Sequence, residues 1–288
     1  LRKSLKPLET KKSAFQSEKN QNKKFASIST GFQPSESGFL SNTYAVDSTR
    51  AASKKSILAT DSFLPLSTPS IWMLTHLNFD SSSVIGASIP GIPVIFSGKN
   101  NNVAWASSFS SIDDQDLFYE KLNPKNYQEY LTKNGYKRFE SEEKLIRVKE
   151  HPTRKIMLRK TENGIVLPSN TFDISSIKPL DHEISLSWTG YNEYDSTLAS
   201  LLNIMTSESI SDLKNKIFDN NTFNLNLILA DKNIVDMIFI GQAPKRPIQS
   251  KSKGRVISVG WKNKNQWQKK SLSSNKKIEI TPLNGVIL

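Results

Sequence analysis

From residue 41 onward the chain alternates short apolar runs with polar turns. Most runs cover only a few residues and are rich in β-branched or aromatic side chains, which is typical of strands. The pattern predicts strands at residues 43–46, 56–59, 71–77, 84–89, 94–96, 103–106, 225–230 and 235–240. Polar residues 47–55 and 231–233 are interpreted as hairpin connections, and residues 90–93 as a turn that begins with Pro90-Gly91.

Three segments instead show helical spacing of their apolar residues. They cover residues 126–134, 197–205 and 209–218. Ser209 or Ser211 can serve as the N-cap of the last segment, because a hydroxyl accepts a bond from a free backbone N–H of the first turn. Many short strands with few helices predict an α+β, sheet-rich domain.

Residues 1–40 differ from the rest of the chain. They are polar and rich in lysine, and their apolar residues follow no helical or strand period. Such a composition predicts a linker or propeptide-like segment ahead of a domain at residues 41–288.

The amino-acid composition excludes several kinds of functional site. The 288 residues contain no cysteine, which excludes disulfides, zinc–thiolate sites and a cysteine nucleophile. The three histidines, His76, His151 and His182, are too far apart for metal-ligand spacing. No apolar run approaches the roughly 18 residues of a membrane-spanning helix, and no signal peptide is recognised at Leu1.

The formal net charge of +12 raises the alternative of a polyanion-binding protein. The lysines are scattered, however, with local enrichment only at residues 2–24 and 245–277. Neither region interleaves aromatic and basic residues as nucleic-acid-binding motifs do. A solvated basic surface with no specific nucleic-acid partner is therefore the favoured interpretation.

An ordered set of short motifs carries the strongest functional signal. The motifs are Ser41-Asn42 before an apolar strand, Arg50, Pro69-Ser-Ile-Trp72, Gly86-Ala-Ser-Ile-Pro90-Gly91-Ile-Pro93, Gly98-Lys-Asn100 with Trp105, Asp113-Asp-Gln-Asp116, Ser185-Leu-Ser-Trp188-Thr189-Gly190, Asn226 with Ala230-Asp231, Gly241-Gln-Ala-Pro244-Lys-Arg246, and Gly260-Trp261 with Trp267. In this order and spacing they resemble the catalytic chain of the penicillin acylase family. Members of that family are N-terminal-nucleophile amide hydrolases. The resemblance covers residues 41–288 and is strongest up to Asp116.

The resemblance implies an αββα four-layer sandwich, represented here without its two ends. It also implies that a precursor cuts itself before Ser41, whose hydroxyl then acts as nucleophile and whose freed α-amine acts as base. The backbone N–H of Phe109 corresponds to an oxyanion donor, and Phe63 stands where the family has His or Gln. The implied substrate is the N-acyl bond of a β-lactam, an acyl-homoserine lactone or a similar amide, and no cofactor is required.

Further implications concern metal, partners and compartment. In some family members the positions of Asp113, Gln115, Asp116 and Pro244 bind calcium. The second oxyanion donor is an Asn that follows the strand matched by residues 284–288, so we expect the chain to be part of a longer precursor. The remaining segments of that precursor are its expected partners, and the expected location is the periplasm or the exterior.

Two departures from the family pattern support a different hypothesis within the same family. Leu40 stands where the family usually has Gly before the cut, and Phe63 cannot donate or accept a hydrogen bond near the nucleophile. A degenerate or truncated, non-catalytic member is therefore the alternative to an active acylase.

Overall fold

A computed structural model describes residues 41–62, 68–79, 82–110, 112–169, 174–191, 195–217, 223–268, 279–282 and 284–287. The strands within these ranges are β1 (Ser41–Val46), β2 (Ile57–Ser62), β3 (Met73–Asn78), β4 (Ser83–Ser88), β5 (Ile95–Lys99), β6 (Ala104–Phe109), β7 (Gln115–Asn123), β8 (Asn126–Thr132), β9 (Gly135–Arg138), β10 (Glu140–Val148), β11 (His151–Lys160), β12 (Ile165–Val166), β13 (His182–Trp188), β14 (Leu225–Ala230), β15 (Val235–Ile240), β16 (Ser258–Val259), β17 (Glu279–Ile280) and β18 (Val286–Ile287). The helices are α1 (Thr197–Met205) and α2 (Ile210–Lys216), with short 3-10 turns at Ile174–Ser176 and Thr189–Tyr191. The predicted linker, residues 1–40, lies outside the described residues, as does Phe63.

The described strands form three sheets. The small sheet has the order β18-β1-β2, and the central sheet has the order β17-β15-β14-β6-β5-β4-β3. The third sheet has the order β10-β11-β12-β13-β7-β8-β9, with β16 paired in parallel to β7. The prediction of a sheet-rich domain with few helices is confirmed.

Strands β14 and β15 of the central sheet are buried on both faces, and their side chains alternate between the two faces, whereas the edge strand β3 is largely exposed. On β14, Leu227 and Leu229 join the cluster that includes Leu201 of α1 and Leu213 of α2. Ile228 and Ala230 point to the opposite face. There they pack with a second cluster, from the small sheet and β15, whose members are Ala45, Val235, Ile287 and the partly buried Leu58. The small sheet, the central sheet and the two helices therefore lie in three successive layers.

The predicted strands of the small and central sheets are confirmed, with ends shifted by a few residues. The predicted helix at 197–205 is α1, and the predicted helix at 209–218 is α2. Ser209 is the N-cap of α2, since its hydroxyl accepts a bond from the Asp212 N–H at 3.0 Å. The turn at residues 90–93 is confirmed by Gly91, which has a φ of +90°.

Asn100 and Trp105 join the turn between β5 and β6 to the helical layer. The Asn100 amide donates to the carbonyls of Met205 and Ser207 at 3.2 and 2.8 Å, and its oxygen accepts from the Val103 N–H at 2.8 Å. The Trp105 indole is 1 % exposed and donates to the Ile95 carbonyl at 2.9 Å. The Gly98-Lys-Asn100 and Trp105 motifs thus have a structural explanation in this chain.

The prediction of a helix at 126–134 is wrong, because residues 126–132 form strand β8. Tyr130 packs on Leu122, Phe139 and Val166, which come from neighbouring parts of the third sheet. The apolar residues Tyr127, Tyr130 and Leu131 have helical spacing, and the segment is nevertheless a strand because its cross-sheet partners bury Tyr130. Strands β7 and β9–β13 were not predicted. Strands β10 and β11 form an exposed two-stranded arm.

None of the described helices is long and apolar enough to cross a membrane.

Glu120 is a fully buried carboxyl group in the middle of the third sheet, with 0 % exposure. Its Oε1 accepts bonds from Thr161 at 2.8 Å, Asn163 at 2.9 Å and Ser185 at 2.7 Å. Among the described residues its Oε2 has no hydrogen-bond partner. Burial raises the pKa of Glu120, and the three donated bonds only partly oppose this.

We expect the free energy of unfolding to depend on pH through Glu120. The folded pKa lies above the unfolded one, so this contribution is complete below about pH 4.3 and is lost as pH rises through the folded pKa. E120Q keeps an acceptor for the three donors but does not titrate. Urea unfolding between acidic and neutral pH should therefore show a weaker pH dependence for E120Q than for the parent. E140Q, on an exposed strand, is the control. Identical pH profiles for E120Q and the parent would contradict the assignment.

Candidate active site

Two hairpins lie side by side and set the position of Ser41. The Ser48 N–H donates to the Asn233 carbonyl at 3.0 Å, and the Ser56 N–H donates to the Lys232 carbonyl at 3.1 Å. The β1–β2 turn therefore lies against the β14–β15 turn. Ser41 is paired with Ser62 at the opposite, open end of the β1–β2 hairpin. That end faces the start of β14 and the end of β15.

Phe109 lies at the same open end. Strand β6 is antiparallel to β14, and Phe109 is opposite Leu225, the first residue of β14. The central and small sheets pack face to face through Ala45 and Ala104, four residues from Ser41 and five from Phe109. Two predicted site residues that are 68 positions apart in sequence thus come to one end of two packed sheets. The third, Phe63, lies outside the described residues.

The backbone N–H of Phe109 points away from β14. The N–H groups of a strand alternate in direction, and the Ser107 N–H donates towards β5, to the Ser97 hydroxyl at 3.1 Å. The Phe109 N–H shares this direction, whereas the Ser110 N–H donates to the Asn224 carbonyl at 3.0 Å. In the described register, β5 pairs with β6 only at Ala104 and Trp105. The Phe109 N–H is therefore directed to the β5 side of β6, beyond the last residues at which β5 and β6 are paired.

Next to the Phe109 end of β6, Asp114 and Asn224 connect the central and third sheets. The Asn224 amide donates to Asp114 Oδ2 at 2.8 Å, and the Trp188 indole donates to the same oxygen at 3.2 Å. The Asn224 Oδ1 accepts the Gln242 N–H at 2.8 Å. Burial raises the pKa of Asp114, while the Trp188 hydrogen bond lowers it. The network anchors the segments that follow β6 and β15.

Sequence reasoning missed this network. In the sequence, Asp114 stands in the middle of an acidic cluster and Asn224 is one polar residue before an apolar run. Neither pattern indicates that the two residues are in contact. Trp188 belongs to the Ser185–Gly190 motif, and its bond to Asp114 gives it a structural role. Arg50, another of the motif residues, donates from Nε to the Asn284 carbonyl at 2.9 Å and so ties the β1–β2 turn to the start of β18.

The residues implied in calcium binding are engaged by Arg246. Its Nε donates to Asp116 Oδ2 at 2.9 Å, and its Nη2 lies 3.0 Å from Asp116 Oδ1 and 3.1 Å from Asp113 Oδ1. The Trp267 indole also donates to Asp116 Oδ2. Gln115 begins β7, and Pro244 is buried two residues before Arg246.

This arrangement is a bidentate ion pair and does not fit a calcium site as it stands. Calcium takes six to eight oxygen ligands, whereas both Asp116 oxygens already accept bonds from Arg246. Within the described ranges, no group of three or more acidic, His or Cys residues is arranged to hold a metal ion. Calcium binding by Asp113, Gln115, Asp116 and Pro244 remains a prediction from the resemblance.

We expect chelation to leave the stability of this chain unchanged. If the Arg246 guanidinium is the cation that Asp116 binds, then a calcium-loaded and an EDTA-treated sample should melt within about 1 °C of each other. The matched control is D113N, which removes one implied ligand but keeps the Asp116–Arg246 pair. It should be equally insensitive. A rise of several degrees on adding calcium, lost in D113N, would show that a metal site forms after all.

Comparison with known proteins identifies the family. The model of the penicillin amidase family matches residues 4–287 of the chain. This match covers nearly the whole sequence, and the chain therefore belongs to the penicillin amidase family.

Curated relatives of the chain include acyl-homoserine lactone acylases named QuiP. The protein from Pseudomonas aeruginosa is 27% identical over 233 residues, which is 79% of this chain and 27% of that protein. The protein from Pseudomonas fluorescens is 25% identical over 229 residues, with 79% of this chain and 27% of that protein covered. The chain thus spans about a quarter of the length of these relatives.

Among solved structures, a thermostable penicillin G acylase from Alcaligenes faecalis has a similar fold. The TM-score is 0.71 at 19% sequence identity, over 86% of this chain and 43% of that one. At this identity the likeness concerns the fold alone.

Proposed function

We propose that this chain carries the nucleophile-bearing part of an amide hydrolase that cleaves an N-acyl bond. In this proposal the precursor is cut between Leu40 and Ser41, and the fold completes an αββα four-layer sandwich in the longer protein. The observation that carries the proposal is that Ser41 and Phe109 lie at the same end of two packed sheets, in a chain of the penicillin amidase family.

The chemistry follows from a free chain terminus. An α-amine has a pKa near 7.7–8.0, so roughly a tenth of it is unprotonated at pH 7 and about half near pH 8, and this fraction can accept a proton. The amine of Ser41 takes the proton of the Ser41 hydroxyl as that oxygen attacks the amide carbonyl. The amine then returns the proton to the leaving amine, an acyl-enzyme remains, and water hydrolyses it.

Phe109 supplies one donor for the oxyanion. Its N–H is directed away from the β6–β14 ladder, so it can bond to a ligand without breaking that pairing. A backbone donor does not depend on side-chain identity, which is why Phe is acceptable at this position. A preorganised donor of this kind contributes about 10²- to 10³-fold in rate. The second donor is assigned to the segments of the precursor outside this chain.

The substrates are proposed from the relatives and the family. The relatives are named acyl-homoserine lactone acylases, and the similar structure is named a penicillin G acylase. An acyl-homoserine lactone or the side-chain amide of a β-lactam is therefore the proposed substrate class. Because such proteins usually act outside the cytoplasm, the periplasm or the exterior is the proposed location.

Intact mass and N-terminal sequencing of the purified full precursor test the proposal. A mature chain that begins Ser-Asn-Thr-Tyr is the expected result, followed by release of amine from an N-acyl-homoserine lactone or penicillin G. A precursor that stays uncut between Leu40 and Ser41 has no free amine at the nucleophile. That outcome would replace the proposal by the non-catalytic alternative, which Leu40 and Phe63 favour.

A further inference from the structure

A cavity of about 530 Å³ opens on the third sheet, apart from the Ser41 end. Its lining comes from the end of β13, the 3-10 turn that follows it, and four loop segments. None of the lining residues described belongs to β1, β2, β6 or β14. The cavity is thus a second concave site, with a volume suited to a small molecule.

Two indole rings form walls that are fixed in orientation. The Trp188 indole donates to Asp114 at 3.2 Å, and the Trp267 indole donates to Asp116. Tyr191 packs edge-on against Trp188, with ring centroids 5.2 Å apart and an interplanar angle of 81°. Since these rings are held by bonds outside the cavity, their remaining surfaces offer preorganised contact for a flat ring.

Thr189 is a fixed part of the cavity wall. The residue is 5 % exposed, and its N–H donates to the Asp114 carbonyl at 3.2 Å. Its Oγ1 is buried and has no hydrogen-bond partner among the described residues. Because almost none of the surface of this oxygen is accessible, a ligand in the cavity does not reach it, and the polar preference of the cavity comes from its charged side chains.

The cavity carries a positive charge. Lys133 and Lys245 line it, and neither takes part in an ion pair with the described residues. Glu162, which also lines the cavity, is paired with Lys137 at 2.9 Å. The two free ammonium groups therefore favour an anion over a neutral or cationic ligand.

We propose that this cavity is a binding site for a small organic anion in which a flat ring carries a carboxylate. The ring lies against Trp188 and Trp267, and the carboxylate faces Lys245. The site is separate from the proposed hydrolytic centre, and its occupancy does not require cleavage before Ser41.

Titration of tryptophan fluorescence with benzoate and with benzyl alcohol tests the proposal on the 288-residue chain. The two probes share a ring and differ in charge. Benzoate should bind at least about tenfold more tightly than benzyl alcohol, because only benzoate uses the lysines. Equal affinities, or no saturable signal with benzoate, would overturn the proposal.

Variants separate the cavity from other binding modes. K245A should weaken benzoate binding, while K99A, at an exposed lysine of β5 outside the cavity, should not. S41A should bind as the parent does. Unchanged affinity in K245A, or loss of binding in S41A, would refute the assignment.

Discussion

Replacement of Ser41 by alanine is expected to leave the precursor uncut and to abolish amide hydrolysis. In the proposed mechanism the Ser41 hydroxyl attacks during self-cleavage and is later acylated by the substrate. Removing it leaves neither reaction a nucleophile, so the rate should fall by roughly 10⁴-fold or more. Intact mass of the purified protein reports the cleavage, and amine release from an N-acyl substrate reports the hydrolysis.

S41C is the matched control for this experiment. A thiolate at the same position is still a nucleophile, so S41C should retain self-cleavage even where substrate turnover is weakened. Cleavage of S41A at the same bond would contradict the assignment of Ser41. Absence of cleavage in the parent, S41C and S41A alike would favour a non-catalytic protein.

G241A should cause the largest loss of stability of the substitutions considered. Gly241 ends β15 with a φ of +135°, a backbone conformation that residues with a Cβ rarely adopt. An added Cβ would also overlap Asn224 Oδ1 and lie 2.8 Å from the Asn224 Cα. Strain and overlap together should lower the free energy of unfolding by about 2–4 kcal/mol. Denaturant unfolding measures this directly.

G135A isolates the contribution of the overlap. Gly135 has a φ of +109°, but an added Cβ meets no atom within 4 Å. G135A should therefore cost only the backbone strain, about 1–2 kcal/mol. Equal losses of unfolding free energy in the two variants would show that the close approach of Gly241 to Asn224 does not contribute to the effect of G241A. Because Asn224 binds Asp114, G241A should also disturb the segment that follows β6.

Local patterns predicted the central and small sheets and the helices α1 and α2. Residues 225–230 and 235–240 are nearly continuous apolar runs around Asp231-Lys-Asn233, and this pattern required no knowledge of distant partners. The same holds for Ser209, since an N-cap bond links residues only three positions apart. The hairpins and the cap are local structures, and local sequence is sufficient to predict them.

Segment 126–134 is a part of the chain whose structure the local sequence did not predict correctly. Its apolar spacing is helical, yet residues 126–132 form a strand in which Tyr130 is buried by residues from other parts of the sheet. The strands of the exposed arm, β10 and β11, were missed as well, because their charged and apolar residues give no one-sided pattern.

For the candidate site, the sequence by itself determined the family, through motifs whose order and spacing identify it. It also predicted Ser41, Phe109 and Asp113–Asp116 as site residues, and these assignments stay predictions. Only the tertiary structure decided that Ser41 and Phe109 share one end of two packed sheets, that Asp114 meets Asn224, and that Arg246 binds Asp116. These contacts join residues that are 68 to 130 positions apart. Their geometry depends on how sheets stack and on which turns meet, and such long-range packing leaves no periodic trace in the local sequence.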